Sequence, residues 1–438
     1  MHMQIYNPRS SRAILGSVGV FVLIVFFFLV HHFQGLSVYT RSDFDSSDTH
    51  DELVGPNEGG PRVRQATTNL HDEYDPVFER AIKSHIKHGE AWGSPTHVLR
   101  HSMFDGNSQY NKLSYLQMLL LNEMAKPYGQ RAGWIVWFDA DTIILNPKVP
   151  WTTFFPPTEF PNIHLIASKN WDGFNSGVFF LRVHEWSVKM LADAQALPSL
   201  RPEIPIKWAD QSAMLESFSR PQFRDAVVFQ PMHWYNEFQL QENMVKDRPK
   251  VHPGDMLIHF AGLMKDKRKF MGPWLDKVEN MADQWTVPLV NTTYLRDVKA
   301  YWDIYGQAKN ILDSANHTIS SMSGDAELMR PVVKASGNLQ NMVWNSAGDI
   351  EGMRSHTEFL ADTLQQAKSK YAAAKDQLRA ETAQAGSSKA GTLDSGGSKT
   401  EMAIVEHYEA GVAVSADEDA VGSHQVLPLP AGEPTAAT

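Results

Sequence analysis

Cysteine is absent from all 438 residues. A disulfide scaffold is therefore excluded, and the fold must be held by its buried core without covalent staples. A surplus of positive charge is absent too: 40 Lys and Arg stand against 50 Asp and Glu, a formal net charge of -10. Neither that balance nor any local cluster offers a surface for a polyanion, so nucleic acid is not an expected partner. No internal repeat is evident. Apolar material is plentiful: 42% hydrophobic residues with 22 Phe suffice for one large domain with attachments, or for two domains.

Charge is also missing from Ala13 to Val30, a run of 18 residues (AILGSVGVFVLIVFFFLV). That reaches the length of a membrane-spanning helix and exceeds the apolar region of a signal peptide, about 7–15 residues. Arg9 and Arg12 precede the run, while Asp43, Asp45, Asp48, Asp51 and Glu52 follow it. The positive-inside rule then expects a cytosolic tail (1–12), an uncleaved transmembrane signal-anchor (13–30) and a luminal remainder, the topology of a single-pass type II membrane protein. A cleaved signal peptide ending near Gly35-Leu36-Ser37 is the alternative. The short, Phe-rich span suits a thin Golgi or early-secretory bilayer. Residues 31–61, polar and acidic, read as a flexible stem. Asn291-Thr292-Thr293 and Asn316-His317-Thr318 are glycosylation acceptor sequons on the luminal side.

From about Arg62 the pattern becomes ordered. Asp75-Pro76 reads as an N-cap and first-turn proline opening a helix, with Val77, Phe78, Ala81, Ile82, His85 and Ile86 on one face and Gly89 as its stop. Thr96 to Arg100 is strand-like. Tyr110, Leu113, Leu116, Leu120, Leu121 and Met124 recur at helical spacing until Pro127 and Gly129, and Trp134 to Phe138 follows as a buried strand. Further apolar runs at His164–Ala167, Gly177–Leu181, Ala226–Phe229 and Met256–Phe260 alternate with helical or turn segments, which indicates an α/β sheet covered by helices over 62–285. Arg62 to Thr68 (RVRQATT) is unusually polar for a first strand. Tyr294–Leu312 and Met353–Ala380 are helix-compatible, giving a helical extension over 286–385, and 386–438 is a low-complexity tail expected to be disordered.

Asp139 and Asp141 end the most informative stretch, WIVWFDADTIILNP. Side chains two apart in extended backbone share a side, so the two carboxylates are expected to converge at the exit of the strand, where open α/β sheets bind ligands. Oxygens aimed at one point indicate a divalent cation whose open positions accept phosphate oxygens. Two other D-x-D tripeptides, Asp43-Phe44-Asp45 and Asp417-Glu418-Asp419, lie in polar segments and read as solvated.

Four blocks taken in order resemble glycosyltransferase family 34, which includes fungal α-galactosyltransferases and α-1,6-mannosyltransferases and plant xyloglucan xylosyltransferases. They are Trp134 to Asp141 with Asn146-Pro147, Phe174 to Arg182 (FNSGVFFLR), Asp210-Gln211-Ser212, and His259-Phe260-Ala261-Gly262. The similarity covers roughly residues 75–275, about half of the chain. It implies a GT-A fold with a Rossmann-like mixed sheet, a nucleotide-sugar donor, Mn²⁺ and transfer with retention of configuration. Asp139, Asp141 and His259 match the family's metal ligands; imidazole beside two carboxylates favours manganese over magnesium. Asp210 and Gln211 match the polar pair near the anomeric carbon, where a carboxylate stabilises an oxocarbenium-like centre or acts as nucleophile. Lys112, Ala140, Asn175, Ser176, Gly177 and Gly262 match positions near the donor. Asn175 to Gly177 are expected in a turn entering a strand. Where plant members place a lysine after the His-Phe-x-Gly block this chain has Met264, so Lys265 or Arg268 is the expected phosphate contact.

Plainer readings stand beside these. His259 is otherwise a backbone-satisfied core histidine, Asp210 a helix cap, and Trp234, Tyr235 and Asn236 either a sugar-stacking cluster or core. The expected function is a Golgi transferase moving a hexose, galactose from UDP-galactose ahead of mannose from GDP-mannose, to a glycan on protein or lipid. The alternative is a non-catalytic glycan-binding or scaffolding subunit that meets other glycosyltransferases through the C-terminal helices.

Overall fold

The computed structural model describes residues 62–70, 74–238, 251–322, 325–346 and 348–390. The expected tail, anchor and stem, and residues 391–438, lie outside the described residues. Among those described, no helix is long and apolar enough to cross a membrane. The chain divides into two compact units, the first ending at Lys368 and the second beginning at Ser369.

In the first unit, β1 (Val63–Thr68) leads to helix α1 (Pro76–Ala91), β2 (Thr96–Leu99), α2 (Asn111–Met124), β3 (Trp134–Phe138) and β4 (Thr142–Ile144). Then come β5 (Leu165–Asn170), β6 (Gly173–Arg182), α3 (Glu185–Leu200), α4 (Ala209–Phe218), α5 (Pro221–Arg224), β7 (Val227–Gln230), β8 (Glu237–Phe238) and β9 (Leu257–His259). Helices α6 (Lys267–Asn280), α7 (Ala282–Trp285), α8 (Tyr294–Ser321), α9 (Ala326–Asn345) and α10 (Ile350–Ala390) follow; α10 continues to residue 390, past the boundary expected at 385. Six strands form a mixed sheet in the order β2-β1-β3-β6-β5-β7, and β4-β9-β8 form a second sheet. β1 pairs in parallel with β2 and β3, whereas β6 runs antiparallel between β3 and β5. The mixed α/β sheet covered by helices is as the sequence led one to expect.

Helix α1 begins as read: the Asp75 carboxylate accepts a hydrogen bond from Val77 N at 3.0 Å, a cap of about 1 kcal/mol in general. Its expected stop is not where it ends. Gly89 lies inside the helix, and a Cβ there would stand 2.3 Å from Ser94 O and 2.4 Å from Gln65 Nε2, so the glycine admits the neighbouring chain. The polar first strand is explained by the same contact. Gln65, fully buried, donates to Ser94 O and His85 O and accepts from Trp151 Nε1, so its burial leaves no polar atom unmet.

The boundary expected at 285 does not divide the core. Tyr301 donates to Phe229 O, Tyr294 donates to Trp234 O, and Trp344 packs edge-on against Phe229, so α8 and α9 finish the same hydrophobic core as the sheet. Leu360, Leu364 and Ala367 of α10 belong to it as well.

Candidate active site

At the carboxyl ends of β1 and β3 a cleft of about 740 Å³ opens, within the general size range of small-molecule sites. Asp139 and Asp141 stand in it, but not on extended backbone. They occupy a tight turn, in which Thr142 N and Thr142 Oγ1 both donate to Asp139 O, at 3.1 and 2.7 Å. Asp139 N donates to Gly177 O of β6 and Phe260 N donates to Asp141 O, so the turn passes the chain from the large sheet to the small one. Convergence of the carboxylates therefore comes from the turn and the two sheets, not from strand alternation. Ligand atoms of Asp139, Asp141 and His259 lie within 4.8 Å of one another.

The hydrogen bonds behind His259 decide what its ring offers. Asn236 donates through Nδ2 to Ser168 Oγ (2.9 Å) and Asn175 Oδ1 (2.8 Å), which orients its amide and aims Oδ1 at His259 Nδ1, 2.8 Å away. Facing an acceptor, Nδ1 carries a proton, which leaves Nε2, 3.4 Å from Asp141 Oδ1, as the ring nitrogen that can bind either a proton or a metal ion. A ring nitrogen set against a carboxylate oxygen in this way can share a cation with it. The donor set, two carboxylates and an imidazole with its far nitrogen fixed, fits a divalent transition-metal ion such as Mn²⁺. His259 is thus not a core histidine satisfied by backbone.

Lys112 forms the second charged centre. Its buried ammonium lies 3.0 Å from Asp139 Oδ1 and 2.9 Å from Asp210 Oδ2, and donates to Ser176 O and Oγ, both at 3.1 Å. Burial works to lower the Lys112 pKa, but the two carboxylates outweigh it and hold the group protonated. Asp210 is shifted upward, by burial first and by the Asp139 charge, with Lys112 opposing. Gln211 accepts from Ser176 N at 3.0 Å, tying α4 to β6. Asp210 therefore faces a lysine rather than capping its helix. Asn175, Ser176 and Gly177 lie within β6 and not in a turn before it. Gly177 is required by packing, since its Cβ would stand 2.1 Å from His259 Cε1.

Ala140 and Gly262 line the cleft, Gly262 with a φ of +73° that favours glycine. Three expectations are corrected. Trp234 is 2% exposed and packs on Phe154 and Tyr301, so it belongs to the core and presents no face to a sugar. Asn236 is fully buried and acts through His259. Lys265 is exposed and outside the cleft lining; Lys267 reaches in instead, its Nζ 2.6 Å from Asp141 Oδ2. Burial raises the Asp141 pKa in part, yet His259 and Lys267 hold it well below the usual carboxylate range. Arg268 lines the cleft and pairs with the capping carboxylate Asp75. Lys267 could have been found in sequence only as one of a basic cluster, whose members the first turn of α6 sorts by direction.

Fold and cleft together define a mixed α/β domain with a ligand cleft at the carboxyl ends of its strands. Residues 151–269 match the family model described as the galactosyl transferase GMA12/MNN10 family, and the recognition of glycosyltransferase family 34 from the motifs is borne out. An alpha-1,2-galactosyltransferase of Schizosaccharomyces pombe (strain 972 / ATCC 24843) is 22% identical over 231 residues, 45% of this chain and 58% of that protein. The chain thus spans less than two thirds of that relative's length. Among solved structures, a glycosyltransferase involved in the glycosylation of the major capsid of PBCV-1 aligns with 48% of this chain and 100% of its own, at 14% identity and a TM-score of 0.38. GlyE of Streptococcus pneumoniae TIGR4 aligns with 52% of this chain and 66% of its own, at 14% identity and a TM-score of 0.32.

Proposed function

We propose that this protein is a GT-A type, Mn²⁺-dependent, retaining hexosyltransferase that moves galactose, ahead of mannose, from a nucleotide sugar to a glycan acceptor in the Golgi lumen. The observation that carries the reading is the convergence of Asp139, Asp141 and Nε2 of His259 beside the buried Lys112–Asp210 pair, in one cleft. A cation held there supplies electrostatic stabilisation to a departing diphosphate. Lys112 lies within 3.0 Å of both Asp139 and Asp210 and holds the two carboxylates in place. Asp210 and Gln211, anchored through Ser176, supply the polar pair for the anomeric carbon. The family description and the printed name of the yeast relative favour galactose.

The test is hydrolysis and transfer by the full chain over a panel of UDP- and GDP-sugars, with and without Mn²⁺. Turnover of UDP-galactose that requires Mn²⁺ and disappears in Asp141→Ala is the expected result. No turnover of any donor, with or without acceptor, overturns the enzymatic reading.

A further inference from the structure

Two large aromatic side chains stand half in solvent on one side of this cleft: Trp171, 52% exposed, and Trp208, 48% exposed. In a chain that buries Trp134, Trp137, Trp151 and Trp234, their exposure calls for a cause. The sheet order supplies a position. β3, which delivers Asp139 and Asp141, lies between β1 and β6, so the carboxylates divide the cleft into two arms. One arm is lined by Thr68, Asn69, Leu70 and Phe78 from the parallel β1 side. The other is lined by Trp171 and Asp172 at the β5–β6 turn, and by Trp208, Asp210 and Gln211 at the start of α4.

The parallel side has the geometry at which α/β sheets take nucleotides. A donor whose diphosphate meets the carboxylates would extend its nucleoside there and leave the tryptophan arm to the second substrate. Both tryptophans are held close to the polar centre. Trp171 meets Phe238 edge-on at 5.3 Å, and Phe238 meets the His259 ring edge-on at 5.2 Å, so two ring contacts join Trp171 to the metal-ligating set. Trp208 is separated from Asp210 by Ala209 alone, whose φ of +34° is an unusual backbone state for a residue with a Cβ. That turn leaves Trp208 outside while Asp210, 5% exposed, is turned in. Strain retained beside a reactive group points to use.

Lys207 Nζ stands over the Trp208 ring, 4.7 Å from its centroid, and so takes one of its two faces. We infer that Trp171 and Trp208 form the acceptor subsite, Trp171 and the other face of Trp208 each meeting the apolar side of a pyranose of the acceptor saccharide, with Asp172 at the rim to meet hydroxyl groups. The inference rests on the proposed transfer reaction and adds which arm the acceptor enters. Pyranose rings carry an apolar C–H face and an equatorial polar rim, which suits a half-wet tryptophan better than a charged or aliphatic surface.

The experiment uses the full chain with UDP and Mn²⁺ present. Methyl α-mannopyranoside, methyl α-galactopyranoside and an α-linked mannobiose are titrated against tryptophan fluorescence, and used as acceptors with UDP-galactose. Trp171→Ala and Trp208→Ala should each raise the acceptor KM about tenfold and remove part of the saccharide-induced quenching. Trp171→Tyr and Trp208→Tyr should recover most of the loss, and UDP affinity by calorimetry should stay within about twofold in all four. Tyr128→Ala, a more exposed aromatic outside the cleft, serves as the control. An unchanged acceptor KM in both alanine variants, or a fall in UDP affinity equal to the rise in acceptor KM, overturns the subsite. Wild-type protein inactive with every donor would instead defeat the reading on which the inference rests.

Discussion

The His259 ring occupies the space that a Cβ on Gly177 would need, with Cε1 2.1 Å from that position. A glycine in β6 thus sets how closely the imidazole approaches Asp141. Asn236 holds Nδ1 of the same ring at 2.8 Å, which fixes its orientation.

Gly177→Ala should therefore disturb the centre more than its single methyl suggests. Overpacking costs about 1–3 kcal/mol in general, and here it pushes on a ligand. The expected outcome is a lower melting temperature together with weakened Mn²⁺ binding, read by calorimetric titration. Unchanged binding would show that the ring can move aside.

Asn236→Leu removes the acceptor that keeps the His259 proton on Nδ1. Loss of such support typically weakens metal binding about 10–100-fold. The same titration checks it, with circular dichroism to confirm that the fold persists.

Lys267 stands where a cation would compete with it, 2.6 Å from Asp141 Oδ2. Lys267→Met should tighten Mn²⁺ binding severalfold while raising the KM for the donor, because the displaced ammonium is then lost to the diphosphate. Weaker metal binding in this variant would mean that Lys267 supports the site in another way.

Lys112→Met leaves Asp139 and Asp210 without their shared cation. Breaking a buried pair in this way costs about 3–5 kcal/mol in general. A fall in melting temperature that Asp210→Asn partly reverses in the double variant is the expected pattern, since removing the stranded charge removes part of the penalty.

The acid limb of stability follows from Asp141. Its folded pKa lies below the unfolded value of about 3.9, because His259 and Lys267 outweigh burial. The stabilisation is thus present above the unfolded pKa and is lost as pH falls through the folded one, below about pH 4. In EDTA, melting temperature against pH should fall more gently in Asp141→Asn than in the wild type over that interval.

Much of the local structure was legible along the chain. Asp75-Pro76 opens its helix, and Trp134–Phe138 is a buried strand. Asp139, Asp141, His259, Asp210, Gln211 and Lys112 do meet in one cleft. The errors have a common cause. Gly89 resembles a helix stop because Gln65 of β1, which packs against it, is distant in sequence. Trp234 resembles a sugar platform because an aromatic beside polar residues reads alike whether it is turned in or out. Lys265 and Lys267 differ only in direction.

By itself the sequence determined the features that depend on a few neighbouring residues: helix caps, strand runs, the exclusion of disulfides and the ordered family motifs. Tertiary structure decided which nitrogen of His259 is free, why residue 177 has no side chain, and which lysine meets Asp141. Those outcomes join β3, β6, β9 and the start of α6, segments far apart along the chain. Close packing fixes side-chain direction there, and no local propensity carries that information.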